Sequence, residues 1–271
     1  MWIFECVETY SEMRAKISKA LFCISLIEIF ILAQISIDFS NILKMLSFNT
    51  ETEILGIKIY IAYIYIPLAI SILENIFCLH DKIQNIFKIR SSFDKNVIFL
   101  EYIKQLKIKT SLSNKELRKL YSKNKNLKDA VSEHFYYHVS STEPKIDKHY
   151  INMALTSWCW VWIVLDTIVF SLVVEISVII FKVCNYDVNI WFILCFAIYI
   201  AILVVLLVCT LYVECKKCTI AEIKKAVKFD EKQEVANEKN EKLEGIIQNA
   251  LSNKQCVCKI RKRCPLNKPN K

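Results

Sequence analysis

Glycine is nearly absent: Gly56 and Gly245 are the only two in 271 residues. A loop that cradles phosphate needs several glycines so that backbone N–H groups can approach the ligand, so Walker-type and dinucleotide-binding sites are excluded. Proline is scarce as well, and of the four only Pro67 falls inside an apolar run. The mark of a secondary transporter, helices broken by Gly and Pro around a midplane site, is therefore weak, and no internal repeat supports it. No GxSxG, no HExxH and no grouped nucleophile, base and acid occurs, so the chain is not expected to be an enzyme. The first residues, MWIFECVETYSEM, lack a basic stretch and a small-residue cleavage site, and are not expected to be a cleaved signal peptide.

What is present is long apolar runs. Hydrophobic residues make up 54% of the chain and gather in blocks at about 17–37, 54–79, 155–181 and 188–213. Each block is long enough, at about 1.5 Å per residue, to cross a hydrocarbon core of about 30 Å. Lipid leaves backbone groups no partners outside a helix, so the expected fold is an all-α membrane protein with four transmembrane helices. Of the 36 basic residues, fifteen lie in residues 80–154 and fifteen in 214–271, against one in 38–53 and one in 182–187. The excess of Lys and Arg on the cytoplasmic side of membranes then puts both termini and the long central segment inside; the bacterial inner membrane is the expected location by analogy of architecture. Four segments follow: a helix pair in 1–79, a cytoplasmic helical domain in 80–154, a second helix pair in 155–213, and a cytoplasmic, basic, cysteine-containing tail in 214–271.

The interior segments carry helix signals. SNKE at 113–116 has the form of a capping box, and the helix it opens repeats apolar residues at Leu117, Leu120, Leu127, Val131 and Phe135. Pro144 suits the first turn of a rod of about 40 residues that meets no further Pro or Gly before Cys184. Residues 219–251 are charge-rich with a broken heptad pattern, which predicts a short partner helix. The final stretch from Lys254, including Lys259, Arg261, Lys262 and Arg263, has no acid and is expected to lie on anionic lipid. It lacks interleaved aromatics for base stacking, which argues against nucleic acid as a partner.

Against this apolar background a few polar residues stand out. Glu28, Glu74, Asp166 and Glu175 fall within the apolar blocks, where a carboxylate is costly and usually faces protein or water. They are candidates for function, the alternative being neutral carboxyls that hold helices together by hydrogen bonds. Asp166 and Glu175 are nine residues apart, which at about 100° per residue puts them on opposite faces of one helix. That arrangement favours a homo-oligomer, one acid meeting its own bundle and the other a neighbouring subunit. Ser18, Ser25 and Ser36 form a small polar seam on the first helix, suited to close packing. Trp158, Trp160 and Trp162 open the third span and are expected to anchor it at the membrane interface.

Cys215 and Cys218 follow the last span, and Cys256, Cys258 and Cys264 follow the charged tail. Four of these five would suffice for a structural zinc site, though C-x-C-x₅-C is not a standard half-site; the other readings are reduced bystander thiols, and a redox or lipid-attachment role. No other cofactor is implied. His134 and His138, one helical turn apart, could reach one metal with Asp147 or His149, although histidines on a packed face are commoner.

With no outside domain, the chain is expected to take its input from the cytoplasm and act on the membrane or a partner. The reading favoured is an oligomeric pore-forming or membrane-perturbing effector. The alternatives are a non-catalytic scaffold that recruits a cytoplasmic protein, and then an ion channel or transporter using the intramembrane carboxylates. In architecture alone this looks like the small membrane effectors of bacterial phage-defence systems, an analogy of topology.

Overall fold

The computed structural model describes residues 5–35, 40, 43–44, 47, 51–54, 57–77, 79–140, 143–183, 190–232 and 240–252. In chain order these form α1 (Tyr10–Ile35), a hairpin of β1 (Glu51–Ile54) and β2 (Ile57–Tyr60), α2 (Ala62–Phe77), α3 (Leu79–Phe87) and α4 (Ile89–Phe93). A π-helical turn, Asp94–Ile98, leads into α5 (Phe99–Gln105), followed by α6 (Asn114–Lys123), α7 (Lys125–Val139) and α8 (Lys148–Val183). Next come α9 (Ile190–Leu206), a second π-helical turn (Leu207–Leu211) and α10 (Tyr212–Lys232), then a last helix, α11, over 240–252.

Among the described residues, three helices are long and apolar enough to cross a membrane: Tyr10–Gln34, Lys148–Ile180 and Ile193–Glu231. The second expected span differs. Its opening residues form the antiparallel hairpin, with Ile54 opposite Ile57 and Glu51 opposite Tyr60, and α2 begins only at Ala62. The reason lies in two runs of β-branched and polar residues separated by two positions, one of them Gly56, which is a hairpin pattern embedded in an apolar block. The regular structure of the described residues is thus helical apart from this hairpin, and α2, with 16 residues, extends about 24 Å, short of a full hydrocarbon core.

Two compact units arise from the contacts, residues 1–87 with 155–215, and residues 88–154 with 216–271. In the first, α1 packs on α2, where the Ser18 and Ser71 hydroxyls are hydrogen-bonded at 2.7 Å. Ser25, also buried, turns back on the Phe22 carbonyl, while Ser36 lies outside the described residues. Leu32, Val164, Ile168, Val178, Phe196 and Ile200 form one apolar cluster, and Ile29, Ala33, Leu43, Tyr60, Ala62 and Tyr63 another. Many other large apolar side chains remain exposed, among them Ile176, Ile180, Leu194, Ile198 and Val205, as expected of helix faces that meet lipid.

In the second unit the capping box forms as read: the Ser113 hydroxyl accepts from the Glu116 amide and the Glu116 carboxylate accepts from the Ser113 amide. The single helix expected through Phe135 is instead two. Asn124 leaves the helical conformation, and its Oδ1 accepts from the Leu127 amide to cap α7. Leu117, Leu120, Leu127, Val131 and Phe135 are nonetheless all buried. The rod expected from Pro144 starts at Lys148, because Asp147 accepts from the His149 amide and acts as the cap. From there α8 runs unbroken for 36 residues.

With so little glycine, lysine takes the left-handed position that ends α5. Lys107 has φ 52°, its amide bonds the Lys104 carbonyl, and the Ile108 amide bonds the Ile103 carbonyl. That is the Schellman pattern, completed by burial of Ile103 and Ile108.

Candidate functional site

Three of the four acids singled out in the apolar blocks are buried, each on a different helix. Glu28 on α1 accepts a 2.6 Å hydrogen bond from the hydroxyl of Ser171 on α8, with Tyr199 of α9 as a second neighbour. Asp166, five residues before Ser171 on α8, faces the ring of His80, whose Nδ1 lies 3.4 Å from Oδ2. The His80 ring stands edge-on to Trp162, centroids 4.1 Å apart, and is 1% exposed. Glu74 of α2 is buried within electrostatic reach of Asp166, His80 and Arg14.

The arrangement is therefore a connected group of titratable side chains, Glu74, His80 and Asp166, with Arg14 at its edge. A buried imidazole beside two carboxyls places ring nitrogens that donate or accept next to oxygen acceptors. His80 Nε2 and Asp166 Oδ1 are buried and have no hydrogen bond among the described residues. An imidazole and a carboxyl with spare donor and acceptor capacity in an apolar unit are the components of a polar switch.

Glu175 is half-buried and has no hydrogen-bond partner among the described residues. Around it on α8, Leu172, Val173, Ile176, Ile179 and Ile180 are exposed. The two acids of α8 thus sit in opposite surroundings, one enclosed and paired, the other on an open apolar face.

Trp158 and Trp162 are buried and stack with centroids 6.2 Å apart, while Trp160 is half-exposed beneath the ammonium of Lys16. Cys215 and Cys218 are buried in α10. Cys256, Cys258 and Cys264, and with them Lys259, Arg261, Lys262 and Arg263, lie outside the described residues.

His134 and His138 are buried on α7, but neither Asp147 nor His149 joins them; both are exposed. Asp147 is occupied in capping α8. The acid that meets the two imidazoles is Asp230 of α10, about a hundred residues away in sequence.

Sequence reasoning missed His80, Ser171, Tyr199, Asp230 and Asn240. His80 sits at the junction of an apolar block and a charged segment, where a histidine carries no periodic signal. Asp230 lies in KFDEK, one acid among many in a charge-rich helix. Only Ser171 had a visible cue, a hydroxyl inside an apolar helix between two acids.

The chain belongs to the YmfE protein family, whose model matches residues 9–237. No curated protein matches the chain, and no solved structure does.

Proposed function

Starting from that membership, we propose that the protein is a multi-pass protein of the bacterial inner membrane that acts on the bilayer in response to a cytoplasmic signal, without catalysing a reaction. In this reading it has four spans and both termini inside, α2 serving as a short span that the bilayer meets by local thinning. The uneven placement of lysine and arginine supports that orientation. The observation that carries the proposal is the enclosed Glu74, His80 and Asp166 group inside an apolar unit. Groups of this kind are costly to bury and are characteristic of pathways and switches in membrane proteins.

Glu175 supports an oligomer. A carboxyl on an open apolar face costs at least ~2.5 kcal/mol near the bilayer centre, and a second copy covering that face would relieve it. The helix α8 runs unbroken from Lys148 to Val183 and carries Asp166 at its middle. An oligomeric, membrane-perturbing effector fits these features, and a bacterial anti-phage system is the setting its topology suggests.

The test is dye uptake and membrane potential in cells expressing the protein, with native mass measurement of detergent-solubilised material. Asp166→Asn should spare assembly and change leak, whereas Glu175→Gln should weaken assembly. Wild-type leak and assembly in both would leave the scaffold reading, in which the protein recruits a cytoplasmic protein partner. Phage plating with and without expression tests the defence setting separately.

A further inference from the structure

Five electron-pair donors from four side chains converge inside the second unit. His138 Nε2 lies 2.7 Å from Asp230 Oδ1, and His134 Nε2 lies 3.1 Å from Asp230 Oδ2 and 3.1 Å from Asn240 Oδ1. All four residues are buried. The amide of Asn240 is oriented by its Nδ2, which donates to the Val227 carbonyl at 3.3 Å, so its oxygen is the atom turned toward His134.

The other ring nitrogens determine what these atoms can be. His138 Nδ1 lies 2.8 Å from the His134 carbonyl, which only accepts, so Nδ1 carries the hydrogen. In a neutral imidazole Nε2 then holds a lone pair, and it points at a carboxylate oxygen 2.7 Å away. Two lone pairs that close require a positive centre between them, either a proton or a metal ion. His134 Nδ1 lies 3.1 Å from the Tyr102 hydroxyl, which can accept from it and leave Nε2 of His134 unprotonated too. Asp230 Oδ2 is buried with His134 Nε2 3.1 Å away, at an angle that makes no hydrogen bond.

We propose that His134, His138 and Asp230, with Asn240 as a fourth ligand, form a binding site for a divalent transition-metal ion of the zinc class. The donor set of two imidazoles, a carboxylate and an amide oxygen suits such an ion. Both imidazoles have the outer hydrogen bond that fixes ring and tautomer in metal sites, one to a backbone carbonyl and one to Tyr102. One ligand atom from each of His134, His138 and Asp230 lies within 4.8 Å of the others. Ligands of a tetrahedral zinc stand about 3.3 Å apart, a spacing that the histidine–carboxylate pairs at 2.7 and 3.1 Å nearly have, while the widest pair closes by up to about 1.5 Å when an ion enters. A cavity of about 120 Å³ lined by Glu133, His134, Tyr137 and Lys242 borders one of the ligands, His134. The ion pins three segments distant in sequence, α7, the end of α10 and the start of α11.

The test uses the full chain in detergent without a histidine tag. Metal analysis after purification in micromolar zinc should give close to one equivalent per chain, and cobalt added to the stripped protein should give visible d–d bands. Tyr102→Phe should weaken zinc binding by about 10- to 100-fold. Asp230→Asn and His138→Gln should abolish it, and His149→Ala should leave it unchanged. Less than a tenth of an equivalent in the wild type, no cobalt bands, and a histidine nitrogen spectrum showing a protonated His138 would overturn the proposal in favour of an imidazolium–carboxylate pair. The wild-type measurement decides even if the ligand variants fail to fold.

Discussion

Nδ1 of His80 lies 3.4 Å from Oδ2 of Asp166, an enclosed pair that joins the helix following α2 to the middle of α8. Removing either partner leaves the other buried alone, so the two substitutions should not add. A double-mutant cycle of His80→Gln and Asp166→Asn in detergent unfolding is expected to give a coupling of about 0.5–3 kcal/mol. Strict additivity would mean the residues are merely adjacent.

Ser171→Ala removes the donor that holds Glu28 at 2.6 Å. The carboxyl keeps its burial and loses a partner, so unfolding should be easier by about 1–2 kcal/mol. Glu28→Gln keeps an acceptor oxygen for Ser171 and should cost less. The reverse order in a denaturation series would show that the Ser171 hydroxyl does not support this carboxyl.

Lys107 adopts a backbone conformation that glycine reaches without a Cβ clash. The left-handed conformation costs an L-residue about 1–2 kcal/mol, of which glycine returns part through its freer unfolded chain. Lys107→Gly should therefore stabilise by about 0.5–1 kcal/mol, read as a higher Tm. A lower Tm would mean that the lysine side chain contributes more than its backbone conformation costs.

Tyr121 stacks on Phe99 with centroids 4.8 Å apart, and burial, assisted by the charge of Asp94, pushes its phenol up to about 12. A proton held more tightly in the folded than in the unfolded state stabilises fully below the ordinary value near 10 and is lost as pH rises through 12. Ultraviolet titration should find Tyr121 among several late-ionising tyrosines, with buried Tyr102 another, and Tyr121→Phe should remove one late phenol and lessen the alkaline destabilisation.

Residue order alone determined the apolar helices α1, α8 and α9, because a run that must satisfy its backbone in lipid has one local solution, and it determined the capping box at Ser113 for the same local reason. It also carried the hairpin at Glu51–Tyr60, although overall hydropathy concealed a two-residue period. The opposite surroundings of Asp166 and Glu175 follow from helical geometry, so their separation was legible. Which partners they meet was not. His80 reaches Asp166 across 86 positions of sequence, and Asp230 reaches His138 across 92. Neither distance is encoded by periodicity or spacing. It was settled only when helices distant in the chain packed together, since a buried polar group takes whichever partner the tertiary contact brings within hydrogen-bond reach.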